Sequence, residues 1–114
     1  MKKITLALDL KDDPILIEAY KKYHENVWPE IEDSLQKSGI VKMEIFCVAN
    51  RLFMIIEAKD DFSFEKKLAM DANSPKNQEW EILMWKYQQA LPYAKEGEKW
   101  MQMDKVYEFI ANKD

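Results

Sequence analysis

A chain of 114 residues is one domain of ordinary size, long enough to bury a core and too short to carry a separate catalytic module besides. With 47% hydrophobic and 33% charged residues it reads as globular rather than disordered, and a net charge of -4, with lysines interleaved among acids, excludes the clustered positive field that nucleic acid requires. No apolar run approaches the ~20 residues of a membrane span, so neither nucleic acid nor membrane is expected as a partner.

The basic start and apolar run of residues 1–8 imitate a leader peptide, but Asp9 interrupts the run before a segment of roughly 7 to 15 apolar residues can form. Residues 3–9 read as a first strand. Residues 14–38 are helical in pattern, with Asp12 or Asp13 placed to cap the start and Pro14 near the first helical position. Pro29 cannot donate its amide to the preceding turn, which predicts a break near residues 26–28 and a restart with Pro29 in the new first turn. Gly39 ends the helical region. Ile40–Val48 and Arg51–Ala58 then read as a hairpin through Ala49-Asn50. Asp61 or Ser63 opens a second helical region through Met70, Asn73-Ser74-Pro75 resets it, residues 76–91 continue it, and Pro92 stops it. Residues 99–110 read as the last strand, with Met101, Met103, Val106, Tyr107 and Phe109 among polar neighbours.

The resulting order, β-α-β-β-α-β, is that of a ferredoxin-like α+β fold with an antiparallel sheet in a single domain over residues 1–114. Helices cover one sheet face only. Yet Leu52, Met54 and Ile56 alternate with Phe53 and Ile55, and Trp100 and Val106 stand against Met101, Met103 and Tyr107, so both faces carry apolar groups. A two-fold partner packed sheet to sheet is the simplest cover, and a homodimer is expected. The single cysteine, Cys47, makes no internal disulfide and lacks companions for a zinc site, so the cytoplasm is the default compartment.

The chemistry centres on the only histidine. In Tyr20-Lys21-Lys22-Tyr23-His24-Glu25-Asn26-Val27-Trp28-Pro29, a helix places Tyr20 and His24 one turn apart on one face, so a phenol and an imidazole can address one small ligand. Histidine is the side-chain type that exchanges protons near neutrality. The ordinary reading of a lone histidine on a half-apolar helix is a packed or solvated residue. Likewise Trp28, Trp80, Trp85 and Trp100 fit a core or an interface, the seven methionines fit core filling, and Glu30, Glu32 and Asp33 fit a helix start whose dipole they complement. Lys66 and Lys67, with no glycine-rich loop, read as solvated surface rather than a phosphate site.

At Tyr20-x-x-x-His24 followed by Trp28-Pro29-Glu30, the chain resembles the L-rhamnose mutarotase family, sugar-anomer epimerases of the dimeric α/β-barrel type. Gln78-Glu79-Trp80 and the order of strands and helices extend the resemblance over nearly the whole chain. It implies an isomerase that needs no cofactor and no metal, with His24 as proton donor, Tyr20 as a substrate contact and Trp80 as a stacking surface, and Trp28 joins these as a candidate sugar contact. Two departures bear on which sugar is preferred. Met43 stands where the family's hairpin tyrosine touches sugar, and Trp80-Glu81 replaces a frequent Trp-Trp pair, leaving the second contact to Glu81 or to Trp85 one turn later.

The reaction suits these groups. Interconverting the α and β anomers of L-rhamnose, or of a related 6-deoxy-hexose such as L-fucose, needs one acid at the ring oxygen and one base at the anomeric hydroxyl. The base is open between Glu81, a tyrosine acting through water, and water itself. Two other readings compete: a cofactor-independent monooxygenase of the same barrel type, and a non-catalytic sugar-binding dimer. Fold alone does not separate them.

Overall fold

The second half of β1 (Lys2–Leu10), from Leu6 onward, is buried at every residue, and the sheet is built outward from this strand. In the computed structural model of the protein, which describes residues 1–112, Leu6, Leu8 and Leu10 are buried beneath the helices, and Thr5, Ala7 and Asp9 alternate onto the other face.

Helix α1 (Pro14–Tyr23) starts where the Asp13 carboxylate accepts the amides of Ile15 and Leu16 at 2.9 and 3.3 Å, with Pro14 in the first turn. The helix stops at His24, and α2 (Pro29–Lys37) restarts after a short connection, as Pro29 dictates. Gly39, at φ 100°, takes the left-handed turn out of α2. Next come β2 (Ile40–Val48) and β3 (Arg51–Ala58), joined by a tight turn in which Ala49 adopts φ 52°. Ser63 caps α3 (Phe64–Ala72) and Ser74 caps α4 (Pro75–Trp85), each through its hydroxyl and the amide three residues on.

The sheet runs β2-β3-β1, all antiparallel, and the remaining edge of β1 takes two short strands, β4 (Gln88–Gln89) and β5 (Met101–Gln102). This is the ferredoxin-like order, with each helical crossover bent in two and the fourth strand split around residues 90–100. Two expectations are corrected. The fourth helix ends at Trp85, not at residue 91, because the Tyr87 carbonyl accepts the Lys11 amide at 2.9 Å and the chain joins β1. Pairing to an open sheet edge outweighs the weak strand preference of two glutamines.

The last strand does not run over residues 99–110 either. Each step forward along β5 is a step back along β1, so the pairing of Gln102 with Leu6 would bring residue 106 opposite Lys2, where β1 begins. After the Met103 amide bonds the Thr5 carbonyl, the chain leaves the sheet, and residues 104–112 extend without a partner among the described residues.

The core beneath the helices is in two parts. Leu6, Ile40, Met54, Ile56, Ala58 and Phe62 form one, and Leu10, Tyr20, Ile31, Leu52, Trp80 and Met84 the other. Ile45 and Trp100 touch both. On the opposite face, the register places Phe46, Val48, Phe53, Ile55, Ala7 and Met101 together, with no helix over them. Among the described residues no helix is long and apolar enough to cross a membrane.

Candidate active site

The end of α1 and the connection to α2 put four aromatic rings in contact. Tyr20, only 4% exposed, lies one turn before His24, and their ring centroids are 4.4 Å apart. Trp80 of α4 meets the imidazole edge-on at 5.7 Å, and Trp28, ahead of Pro29, packs edge-on against Trp80 at 5.0 Å. Because the helix ends at Tyr23, His24 is free to fold its ring back over the last turn. Its Nδ1 lies 2.9 Å from the Tyr20 carbonyl oxygen. A carbonyl only accepts, so Nδ1 carries the proton and donates, and Nε2 is left as the working nitrogen.

His24 opens onto a groove of about 690 Å³ between α2 and β2, within the roughly 300–1,000 Å³ range of small-molecule clefts. Val27 and Leu35 line one side, and Ile40, Met43 and Ile45 the other, while Glu32, Lys42 and Lys59 supply charge. The groove lies where the two halves of the core part, at Ile45. Met43, singled out at the hairpin, therefore lines the same groove as His24.

Glu81 and Trp85 form a separate group on the outer side of α4. Lys99 binds the Glu81 carboxylate at 2.6 Å and stands 4.7 Å above the Trp85 ring, which is 40% exposed. Thus Tyr20, His24, Trp28 and Trp80 come together and Met43 shares the groove with His24, whereas Glu81 and Trp85 are tied to an ammonium instead. Glu81 still adds a small repulsion to any charge on Tyr20.

Sequence reasoning missed Lys99, Gln88 and the position of Glu32. Glu32 was assigned to the α2 dipole and lies in the groove with His24. No local pattern signals these long-range placements.

Burial pushes the Tyr20 phenol up to about 12, against a smaller opposing effect from the Gln88 side chain beside it. Tyr20 is therefore a hydrogen-bond donor at neutral pH and not the base. The folded state holds this proton more tightly than the unfolded chain, so the stabilisation is complete below pH ~10 and is lost as pH rises toward 12, an effect of about 2 to 3 kcal/mol. At pH 11 the phenolate absorbance at 295 nm of Tyr20→Phe is expected to match the parent's within about a tenth of one tyrosine. A deficit of one full tyrosine in the variant would show that Tyr20 ionises early.

Comparison with known proteins finds matches over nearly the whole chain. The sequence profile of L-rhamnose mutarotase matches residues 3–109. An L-fucose mutarotase of Xanthomonas campestris pv. campestris is 41% identical over 109 residues, covering 94% of this chain and 87% of that protein. An L-rhamnose mutarotase of Enterococcus faecalis is 33% identical over 70 residues, 60% of each chain. The crystal structure of an L-rhamnose mutarotase from Formosa agariphila superposes with a TM-score of 0.71 at 20% identity, covering 96% of this chain and all of that one, a likeness of fold.

Proposed function

This chain belongs to the L-rhamnose mutarotase family, and from that premise we propose that it acts on a 6-deoxy-L-hexose, with L-fucose ahead of L-rhamnose. Interconversion of sugar anomers is its activity, which makes it an isomerase of carbohydrate metabolism. L-Fucose is placed first because the relative of that name is similar over nearly the whole chain, and the L-rhamnose relative over little more than half.

The observation that carries the mechanism is the anchored imidazole. With Nδ1 held by the Tyr20 carbonyl, a protonated His24 presents its Nε2 proton toward the groove. That proton passes to the ring oxygen as the bond from this oxygen to C1 breaks. The anomeric hydroxyl gives its proton to a base, leaving an open-chain aldehyde. Rotation about C1–C2 exposes the other carbonyl face, and the reverse transfers close the ring as the second anomer. Tyr20 and Trp80 pack against His24, and Trp28 against Trp80, at the end of this space, while Val27, Leu35 and Ile45 give the groove apolar walls that suit the C–H faces and the methyl group of a 6-deoxy sugar. Met43 offers the opposite wall. Glu81 and Trp85, held by Lys99, serve at the periphery. For the base, water or a carboxylate remains once the phenol is set aside.

The working unit in this reading is a homodimer of single-domain chains packed through the open sheet face, where Phe46 and Val48 are left exposed. The exposed free thiol of Cys47 suits a reducing, cytoplasmic setting.

Saturation-transfer difference NMR tests the substrate class. Strong transfer to the C6 methyl protons of L-fucose and L-rhamnose, and none to D-glucose, is the expected result. Equal transfer to all three sugars would remove the 6-deoxy preference, and transfer without anomer exchange would favour the sugar-binding reading.

A further inference from the structure

The start of α2 carries three acids, Glu30, Glu32 and Asp33, and the fold sends them in two directions. Glu30 and Asp33 border a cleft on the side of α2 that meets α3 and α4, and Asp33 is paired there with Lys37 at 2.8 Å. Glu32 turns the other way and lines the groove of His24. It is exposed, and its carboxylate has no hydrogen-bond or ion-pair partner among the described residues. An acid at a helix start complements the helix dipole whichever way it points, so the dipole does not explain why this one faces the groove unpaired.

Its place on the helix brings it near the imidazole. The residues that α2 turns to the groove are Glu32, Leu35 and Gln36, spaced three and four apart as one helix face requires. Glu32 is the first of them, about 6 Å before Gln36 along the axis, and so the nearest to the connection that carries His24 and Val27. Its amide bonds the Trp28 carbonyl at 3.2 Å, and its neighbour Ile31 packs in the core with Tyr20 and Trp80. The turn that bears Glu32 is thus seated against the aromatic cluster around His24.

Other groups do not fit the same task. Glu81 lies on the outer side of α4 with Lys99 at 2.6 Å, and Glu44 stands 3.7 Å from Lys42. The remaining charged side chains of the groove, Lys42 of β2 and Lys59 after β3, are ammonium groups with no lone pair to take a proton.

We propose that Glu32 is the general base of anomer exchange, working in the same groove as His24. This rests on the mechanism proposed above and fills the place left open there. The anomeric O–H gives its proton to the Glu32 carboxylate, and its electron pair forms the C1 carbonyl as the bond from C1 to the ring oxygen breaks. That oxygen keeps the bonding pair and takes the Nε2 proton of His24. After rotation about C1–C2, the hydroxyl formed from the ring oxygen attacks C1 and returns its proton to His24, and the carbonyl oxygen takes back the proton held by Glu32. Each turnover restores both groups.

Selective-inversion NMR on L-fucose and L-rhamnose with Glu32→Gln and Glu32→Ala tests the assignment, and circular dichroism checks that both variants keep the fold. Glu32→Gln keeps the shape and loses the base, so exchange is expected to fall by ~10²- to 10⁴-fold. Calorimetric affinity for L-fucose should stay within about threefold of the parent's, because the lost interaction belongs to the transition state. Glu32→Ala should fall as far and regain at least ~10-fold with added formate, a small carboxylate that enters the vacated space. A residue that only starts α2 would not respond to formate. Parent-like exchange in Glu32→Gln would hand the base to water and overturn the proposal. So would a loss of affinity large enough to account for the lost rate, or a loss in Glu32→Ala that formate leaves unrelieved. A parent protein that exchanges neither sugar would overturn the mechanism as a whole, and Glu32 with it.

Discussion

Replacing His24 with alanine is expected to slow catalysed anomer exchange by ~10²- to 10⁴-fold, the usual cost of removing a general acid. Sugar affinity should change far less, because His24 is one of eleven residues lining the groove and Val27, Leu35, Ile40, Met43 and Ile45 supply most of its apolar wall. The fold should survive, since His24 lies in the connection after α1 and its side-chain hydrogen bond is to a carbonyl in the preceding turn. His24→Gln sharpens the result: glutamine can donate a hydrogen bond but does not supply an imidazolium proton. Exchange in His24→Gln is therefore expected to stay near the alanine level. Parent-like exchange in either variant would assign the acid elsewhere.

Trp80→Ala carries the second large effect, and it has two parts. Trp80 is 9% exposed and packs with Leu10, Tyr20, Ile31, Leu52 and Met84, so truncation opens a cavity and costs about 3–5 kcal/mol of stability. That is a large share of the roughly 5–15 kcal/mol that holds an ordinary domain together. It also removes the edge contacts to His24 and Trp28, so sugar binding falls with stability. Trp80→Phe separates the two, keeping a ring in the core while shrinking the surface offered to sugar. Urea unfolding reads the first effect and calorimetric titration with L-fucose the second. An alanine variant with parent stability would mean that the core closes over the gap, and parent affinity would remove Trp80 from the sugar contacts.

Much of the fold was legible because its signals are local. Asp13-Pro14, the restart at Pro29, Gly39 and the alternation through β2 and β3 each act within a few residues of themselves. The misreadings arose where the chain answers to something distant. Gln88 and Gln89 have little strand preference and become strand because β1 has an open edge there. Residues 103–110 have the alternation of a strand, but β1 runs out before they can use it. The site divides in the same way. Tyr20 and His24 are one helical turn apart, so their pairing follows from sequence, and the Trp28-Pro29 junction fixes where the helix breaks. The meeting with Trp80 depends on how α4 packs against α1 and α2, and reached the sequence reading only through family resemblance. Glu81 and Trp85 were drawn outward by Lys99, which lies on the excursion between β4 and β5 that no local pattern predicts.

The most direct test is selective-inversion NMR on L-fucose at equilibrium, inverting one anomeric proton and following transfer to the other. The account predicts that exchange accelerates in proportion to added parent protein and drops toward the spontaneous rate when the same amount of His24→Ala is used instead. An exchange rate that does not respond to the parent protein, with L-fucose or with L-rhamnose, would contradict it.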